Sequence, residues 1–344
     1  MLQGFPFFGR AASAADAAPV SGHTVSEAGL PAPAVTAPRP AVALALGGGA
    51  ARGLAHIGVL RVLEKHGIRP TMVAGTSIGA VVGGMWAAGK LDAFEDWALH
   101  LTKRGILRYI DPAFAAPGLI SGKRLSDRLQ MELAGLEVER LPVTFGTIAT
   151  EFGTGHEIWL TRGSLADAIQ ASYSLPGIFT PHKVGGRWLM DGALVNPVPV
   201  SAARALGGRI VIAVNLNSEI FGRGTVIQDH GSAIAEVADV VVEHKKEGLS
   251  RMLRPDRMLR RQFLSGPSEG PRGISAVMID AFNITQDRIA RSRLAGDPPD
   301  VTVSPKLAKI GLFDFHRAEE AIAAGREAVE RIVDDVHSAM EALK

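Results

Sequence analysis

Two short apolar runs, Ala41 to Leu46 and Thr71 to Ala74, each lead directly into a glycine-bearing turn, and this pairing constrains the chain more than any other feature. The first turn reads Gly47, Gly48, Gly49, Ala50, Ala51, Arg52 and Gly53. The second reads Gly75, Thr76, Ser77, Ile78 and Gly79, a GxSxG pattern followed by small, helix-compatible residues. Between them Leu54, Ile57, Gly58, Val59, Val62 and Leu63 recur at helical spacing, and Gly67 stands where that helix should stop. Residues 41–89 therefore read strand, glycine loop, helix, strand, elbow, helix, a βαβα unit that favours a parallel sheet with helices on its faces. The 24 residues from Gly53 to Ser77 leave room for one helix and one strand. Both turns then lie at neighbouring strand ends, where open α/β sheets bind ligands.

Further along, Val143 to Thr150 and His156 to Thr161 read as a strand pair, and Ser164 to Ser172 as a short helix. His182 to Val184 and Arg187 to Met190 flank Gly185 and Gly186, a hairpin signal that delivers the chain to Asp191. Arg209 to Leu216 is another buried strand, after a helix that opens near Pro197 to Pro199. Residues 41–216 thus fit one alternating α/β domain. Residues 217–344 read as a helical C-terminal extension packed on it, with helices at Gly231 to Arg254 and Gly273 to Ala295, a short strand at Val301 to Ser304, and a helix from about Asp314 to Leu343. Residues 1–40 are dominated by Ala, Pro, Ser and Gly and read as a disordered tail.

Composition narrows the function. With 47% hydrophobic and 21% charged residues the chain can bury a large core. A net charge of +2 gives no global attraction for nucleic acid, and the absence of cysteine removes disulfides, thiolate metal sites and a cysteine nucleophile together. Met1 to Arg10 lacks the basic start of a secretory signal, so a cytoplasmic location is expected, with peripheral membrane contact open. The uncharged stretch Thr71 to Gly89 approaches the roughly 20 residues a bilayer span needs, but its glycines, Thr76 and Ser77 favour a buried strand and helix.

A GxSxG between strand and helix is the pattern of a serine nucleophile on a strained elbow. A serine hydroxyl is a weak nucleophile at neutral pH, so acyl transfer needs a base for its proton and donors for the oxyanion. The same five letters also arise by chance at a glycine-rich helix start, and only context gives them meaning. The Gly47 to Gly53 loop supplies it: consecutive glycines let backbone N–H groups face a bound oxygen, with Gly48 and Gly49 as the expected donors. A dinucleotide fingerprint fails here at Arg52 or at Ala50, and a P-loop would need Lys followed by Ser or Thr. Asp191, Gly192 and Ala193 form an acidic turn whose carboxylate could take the Ser77 proton, although Asp-Gly is also a common plain turn. A Ser-Asp-His triad would recruit His230, His244, His316 or His337 instead. None stands in a glycine-rich or turn context aimed at a site, and His230 comes nearest. His56 and His182 neighbour the motifs and read as structural.

In this order GGGAARG, GTSIG and DGA resemble the patatin-like phospholipase family. The blocks LALGGGAARGLAHIGVL, AGTSIGAVVGG, AIQASYSLPGIFTPH and MDGALVNPVPV carry the resemblance over most of Ala41 to Leu216. The tail PPDVTVSPKLAKIGLFDFHRAEEAIAAGREA is similar to the bacterial branch related to the neuropathy-target-esterase catalytic domain. The resemblance implies a three-layer α/β/α fold with a mainly parallel central sheet and C-terminal helices. It also implies a Ser77-Asp191 dyad without histidine, and an oxyanion-hole segment containing Gly48, Gly49, Arg52 and Gly53. Gly75, Thr76, Ile78 and Gly79 then frame the nucleophile elbow, and Gly192 and Ala193 the acidic turn; no cofactor or metal is called for. Ala50 departs from the family, where many members have a third glycine, and can supply the same N–H if its φ is negative. A free aspartate has a pKa of about 3.9, so desolvation is expected to raise that of Asp191.

The implied substrates are carboxylic esters of phospholipids, lysophospholipids or neutral lipids. An acyltransferase or transacylase of similar fold and a non-catalytic lipid-binding regulatory protein are the competing readings. Between His244 and Phe263, Lys245, Lys246, Arg251, Arg254, Arg257, Arg260 and Arg261 interleave with apolar residues. That pattern suits either an anionic lipid surface or a solvated helix pair broken at Pro255. The cluster Phe5 to Phe8 is a second docking candidate. The sequence carries no signal for oligomeric state.

Overall fold

The structure, a computed structural model, describes residues 41–107, 109, 118–120, 122–218 and 274–343. The tail 1–40, the helix expected at Gly231 to Arg254, the basic segment 244–263, His230 and His244 lie outside the described residues. The elements run β1 (Val42–Leu46), α1 (Ala55–Lys65), β2 (Met72–Thr76), α2 (Ile78–Ala87), α3 (Leu91–Leu99), α4 (Lys103–Leu107), β3 (Gly118–Ile120) and α5 (Lys123–Glu132). They continue with β4 (Thr144–Glu151), β5 (Glu157–Leu160), α6 (Leu165–Tyr173), β6 (Gly177–Phe179), β7 (His182–Val184), β8 (Arg187–Asp191), α7 (Val200–Ala205) and β9 (Ile210–Val214). Last come α8 (Ile274–Gly296), β10 (Val301–Val303), α9 (Ala318–Glu330) and α10 (Val333–Glu341).

The main sheet runs in the order β10-β9-β1-β2-β4-β8-β7, with β5 also paired to β4. From β10 to β4 all neighbours are parallel, while β5, β8 and β7 join antiparallel. The alternation within β1 separates the two faces. Val42, Leu44 and Leu46 point into the larger core beneath α1, α2 and α9, whereas Ala43 and Ala45 face α7 and Ala290 of α8. A strand whose side chains alternate large and small accepts helices on both faces, the closer approach being on the alanine side. The result is a three-layer α/β/α fold.

The uncharged stretch Thr71 to Gly89 splits into β2 and α2, both built into the core. Among the described residues no helix is long and apolar enough to cross a membrane. The C-terminus departs from the single helix expected from Asp314 to Leu343. It forms a 3-10 turn at Phe315–Arg317, then α9, then a break at Arg331 and Ile332 before α10. The break lets Ile332 and Val333 both pack on the core and turns α10 back against β9 and β10. The region after Asn217 also contributes the edge strand β10.

Candidate active site

The strand registers explain how residues far apart in sequence meet. β4 is longer than its neighbour β2, pairing with it only as far as Thr76↔Ile148. From Ala149 onward the same edge of β4 is taken by β8, with Ala149↔Asp191 as the first pair. The edges are fixed because Ile148 and Thr150 both pair with β5 on the opposite side. Where β2 leaves the sheet at the elbow, β8 arrives with its last residue. Ser77 and Asp191 are therefore brought together by one strand end taking over from another.

Ser77 Oγ donates to Asp191 Oδ2 at 2.6 Å. The other carboxylate oxygen, Oδ1, accepts from the Ala193 amide at 2.8 Å, within the 3-10 turn Gly192–Leu194. The Asp191 amide donates to Ser174 O at 2.9 Å, and Thr150 Oγ1 donates to Asp191 O at 2.8 Å. Asp191 is 2% exposed. Burial pushes its pKa up to about 7, against the hydrogen bonds from Ser77 and Ala193, which favour the charged form.

Ser77 has φ 55°, one of two non-glycine residues in left-handed backbone among those described. Such a residue costs roughly 1–2 kcal/mol, so its surroundings must hold it. Thr76, fully buried, donates its hydroxyl to Asn196 O at 2.8 Å and ties the elbow to the segment after Asp191. Ser172 Oγ accepts the Ser77 amide at 2.9 Å and donates to Ile148 O at 2.6 Å. The elbow glycines are there for room. A Cβ on Gly79 would lie 2.1 Å from Leu46 O and one on Gly192 2.2 Å from Ile148 O, and Gly53 and Gly75 are closed off in the same way.

The glycine loop differs from expectation in two respects. The Gly48 amide, expected to face an oxyanion, donates to Pro197 O at 2.9 Å, because the loop is laced to the segment after Asp191. A Cβ on Gly48 would lie 2.8 Å from Gln286 Nε2, and only in ordinary contact, at 3.4 Å, with Ser77 Cβ. Ala50 has φ 49°, so the negative φ under which it could supply that N–H is not met. The Arg52 amide closes a 3-10 turn on Gly49 O at 3.2 Å, and that of Ala51 donates to Leu312 O at 3.0 Å. The amides of Gly49 and Ala50 meet no acceptor among the described residues. Ile78, the first residue of α2, has an amide with no partner inside its helix. The Arg52 side chain is a structural tie, with Nε donating to Ile310 O at 2.8 Å and its pKa lowered to about 10 by burial.

A cavity of about 270 Å³ opens beside this pair. One wall is α2, through Ile78, Val81 and Met85; α3, α5 and the segment Tyr173 to Phe179 form others, and Phe313 and Phe315 close in from the C-terminal region. Its lining is overwhelmingly apolar, with Ser77, Asp191, Lys90, Arg128 and Glu132 among the polar exceptions. Among the described residues no histidine lines it. His56 is buried, with Nε2 donating to Gly47 O at 2.8 Å, and burial lowers its pKa to about 4. His182 pairs with Asp167 at 3.0 Å. His337 stacks edge-on against His66, and His316 sits in the 3-10 turn before α9.

The family model "Patatin-like phospholipase" matches residues 44–204. An uncharacterized NTE family protein of Mycobacterium tuberculosis is 33% identical over 367 positions, spanning 90% of this chain and 98% of that one. Neuropathy target esterase sws of Drosophila melanogaster is 30% identical over 185 residues, 52% of this chain and 13% of its own length. Patatin-like phospholipase domain-containing protein 7 of Rattus norvegicus is 30% identical over 202 residues, 57% of this chain and 15% of its own. The chain belongs to the patatin-like phospholipase family, in the group named for neuropathy target esterase, and is an esterase of that family.

Ser172, Ser174, Thr150 and Asn196 escaped the sequence reading as residues around the pair, whereas His56, read as structural, ties down Gly47 O. Ser172 alone left a signal. It is a hydroxyl on the buried face of α6, among Ala168, Ile169 and Ala171.

Proposed function

We propose that the chain hydrolyses carboxylic esters of phospholipids or lysophospholipids, with Ser77 as nucleophile and Asp191 as the base that takes its proton. The observation that carries this is the 2.6 Å hydrogen bond from Ser77 Oγ to a buried Asp191 carboxylate beside an apolar cavity. An ionised Asp191 accepts the hydroxyl proton as Ser77 Oγ attacks the ester carbonyl. The alcohol leaves with that proton, and water then cleaves the acyl-enzyme by the same route in reverse. The raised pKa makes Asp191 a stronger base than a free carboxylate.

The oxyanion donors we assign are the amides of Gly49 and Ile78; Ala50, at φ 49°, does not meet the condition for donating. Gly48 serves by leaving room for the Gln286 side chain, Gly53 by leaving room for Ile78, and Arg52 by holding the loop. The apolar lining suits an acyl chain, since such pockets bind through buried apolar surface with a few polar groups setting orientation.

The test is product profiling of phospholipid and lysophospholipid mixtures by wild type, Ser77→Ala and Asp191→Asn. Each variant should lose at least about a thousandfold in kcat/KM while keeping a wild-type fold by circular dichroism. Free fatty acid released at the wild-type rate by either folded variant rejects the dyad.

A further inference from the structure

The block AIQASYSLPGIFTPH contains the end of α6, and no step of the proposed chemistry yet uses it. Two of its residues reach the reacting pair from one helix end. Ser172 Oγ accepts the Ser77 amide at 2.9 Å and donates to Ile148 O at 2.6 Å. Two residues on, Ser174 O accepts the Asp191 amide at 2.9 Å. Ser172 itself is fully buried.

The backbone explains why a hydroxyl is needed there. β2 pairs with β4 only as far as Thr76↔Ile148, and the chain then swings into α2. The first amides of a helix have no partner within it, so at the departure point Ser77 is left with an N–H and Ile148 with a C=O to satisfy. One hydroxyl, donor and acceptor at once, bridges the two. It does so at a residue held at φ 55°, where the native backbone has little intrinsic preference to stay.

We infer that Ser172 is a positioning residue for the Ser77 nucleophile: its hydroxyl replaces the missing strand partner, locks the elbow, and so sets the aim of Ser77 Oγ at Asp191. The inference rests on Ser77 being the nucleophile. α6 acts as a gauge, since the same helix end fixes the backbone of the nucleophile through a side chain and that of the base through a carbonyl.

The experiment compares Ser172→Ala with Thr147→Val, using a soluble short-chain p-nitrophenyl ester and the labelling rate with a fluorophosphonate. Thr147 is an equally buried hydroxyl, donating to Ala168 O at 2.9 Å between β4 and the same helix, but it touches neither member of the pair. A purely structural role predicts similar behaviour for the two. Positioning predicts that Ser172→Ala loses about tenfold to a hundredfold in kcat and in labelling rate with KM unchanged, as misaligned reacting groups do. Thr147→Val should keep wild-type kcat even though its melting temperature falls. If Ser172→Ala does not fold, Ser172→Cys, similar in size and a weaker hydrogen-bonding group, carries the same expectation.

Wild-type labelling in the folded Ser172 variant, or an equal kcat loss in Thr147→Val, overturns the assignment. The underlying reading is checked separately: ester hydrolysis persisting in Ser77→Ala removes the nucleophile, and this inference with it.

Discussion

The two βα turns of this protein are built alike and used differently. Each follows a buried parallel strand, each opens a helix, and each holds one non-glycine residue in left-handed backbone, Ala50 at φ 49° and Ser77 at φ 55°. At the second turn the proposed mechanism gives the strain a chemical reason: the nucleophile must carry a hydroxyl, which glycine cannot supply. Ser77 is accordingly gripped by Ser172 through its amide and by Asp191 through its hydroxyl. At the first turn the methyl of Ala50 provides no hydrogen bond, and only its backbone is of use. The lesson is that an unfavourable φ marks function only where the side chain, and not merely the backbone, is needed.

The sharpest way to break this comparison is to give both turns the residue their backbone prefers. If Ser77 is the nucleophile proposed, Ser77→Gly should abolish ester hydrolysis, a loss of at least about a thousandfold. Ala50→Gly should leave kcat unchanged. A Ser77→Gly enzyme that still turned over would place the nucleophile elsewhere and end the distinction between the turns.

The turns also differ in the buried titratable group that steadies each, and here the comparison can be sharpened by pH. Asp191 has a folded pKa of about 7, above the 3.8 of a free aspartate, so its ionisation weakens the fold as pH rises from about 4 to 7. His56 has a folded pKa of about 4, below its free value of 6.5, so stability is lost as pH falls through the same window while the unfolded chain takes up the proton. The two effects oppose each other, and each is worth on the order of 2–4 kcal/mol from the size of its shift. In denaturant melts at pH 5 and pH 8, Asp191→Asn should therefore be stabilised relative to wild type mainly at the higher pH. His56→Gln should behave the other way, gaining relative to wild type on acidification. A pH-independent difference in either variant contradicts the burial argument for that group. As the proposed base Asp191 must be ionised, so kcat/KM should rise with pH to a half-maximum near 7; a half-maximum near 4 would mean an ordinary, solvated carboxylate.

How much of this was legible in the sequence follows from the range of the forces involved. The strands and helices from Ala41 to Gly89 were readable because alternation, helical spacing and glycine punctuation are local signals. The hairpin that ends on Asp191 was readable for the same reason. The stretch from Lys90 to Leu141 was not assigned, although α3 and α5 wall the cavity. α5 shows why: it is rich in charge and buries only Leu129, so its apolar stripe is too thin to stand out. The Gly48 amide was misjudged because its partner, Pro197 O, lies about 150 positions away and leaves no trace near the glycines. The sign of φ at Ala50 was equally out of reach, since it is imposed by lacing of the loop to Pro197 and Leu312 and not by the residue itself.

Ala50→Gly is the smallest of these effects and the one that isolates the backbone. An alanine held at positive φ gives up roughly 1 kcal/mol that glycine would recover, less the extra freedom glycine has in the unfolded chain. For a chain of this size a gain of that order raises the melting temperature by about 2 °C. Ala50 lines the cavity, but through a single methyl, so removing it should alter KM for a long-chain ester less than twofold, well under 1 kcal/mol of lost contact. Calorimetry and steady-state kinetics on the same preparation separate the outcomes. A higher melting temperature with kcat intact means the alanine is tolerated strain. A fall in kcat would instead mean that the methyl restrains the loop in the one conformation that aims the Gly49 amide, making Ala50 as purposeful as Ser77 and erasing the contrast between the two turns.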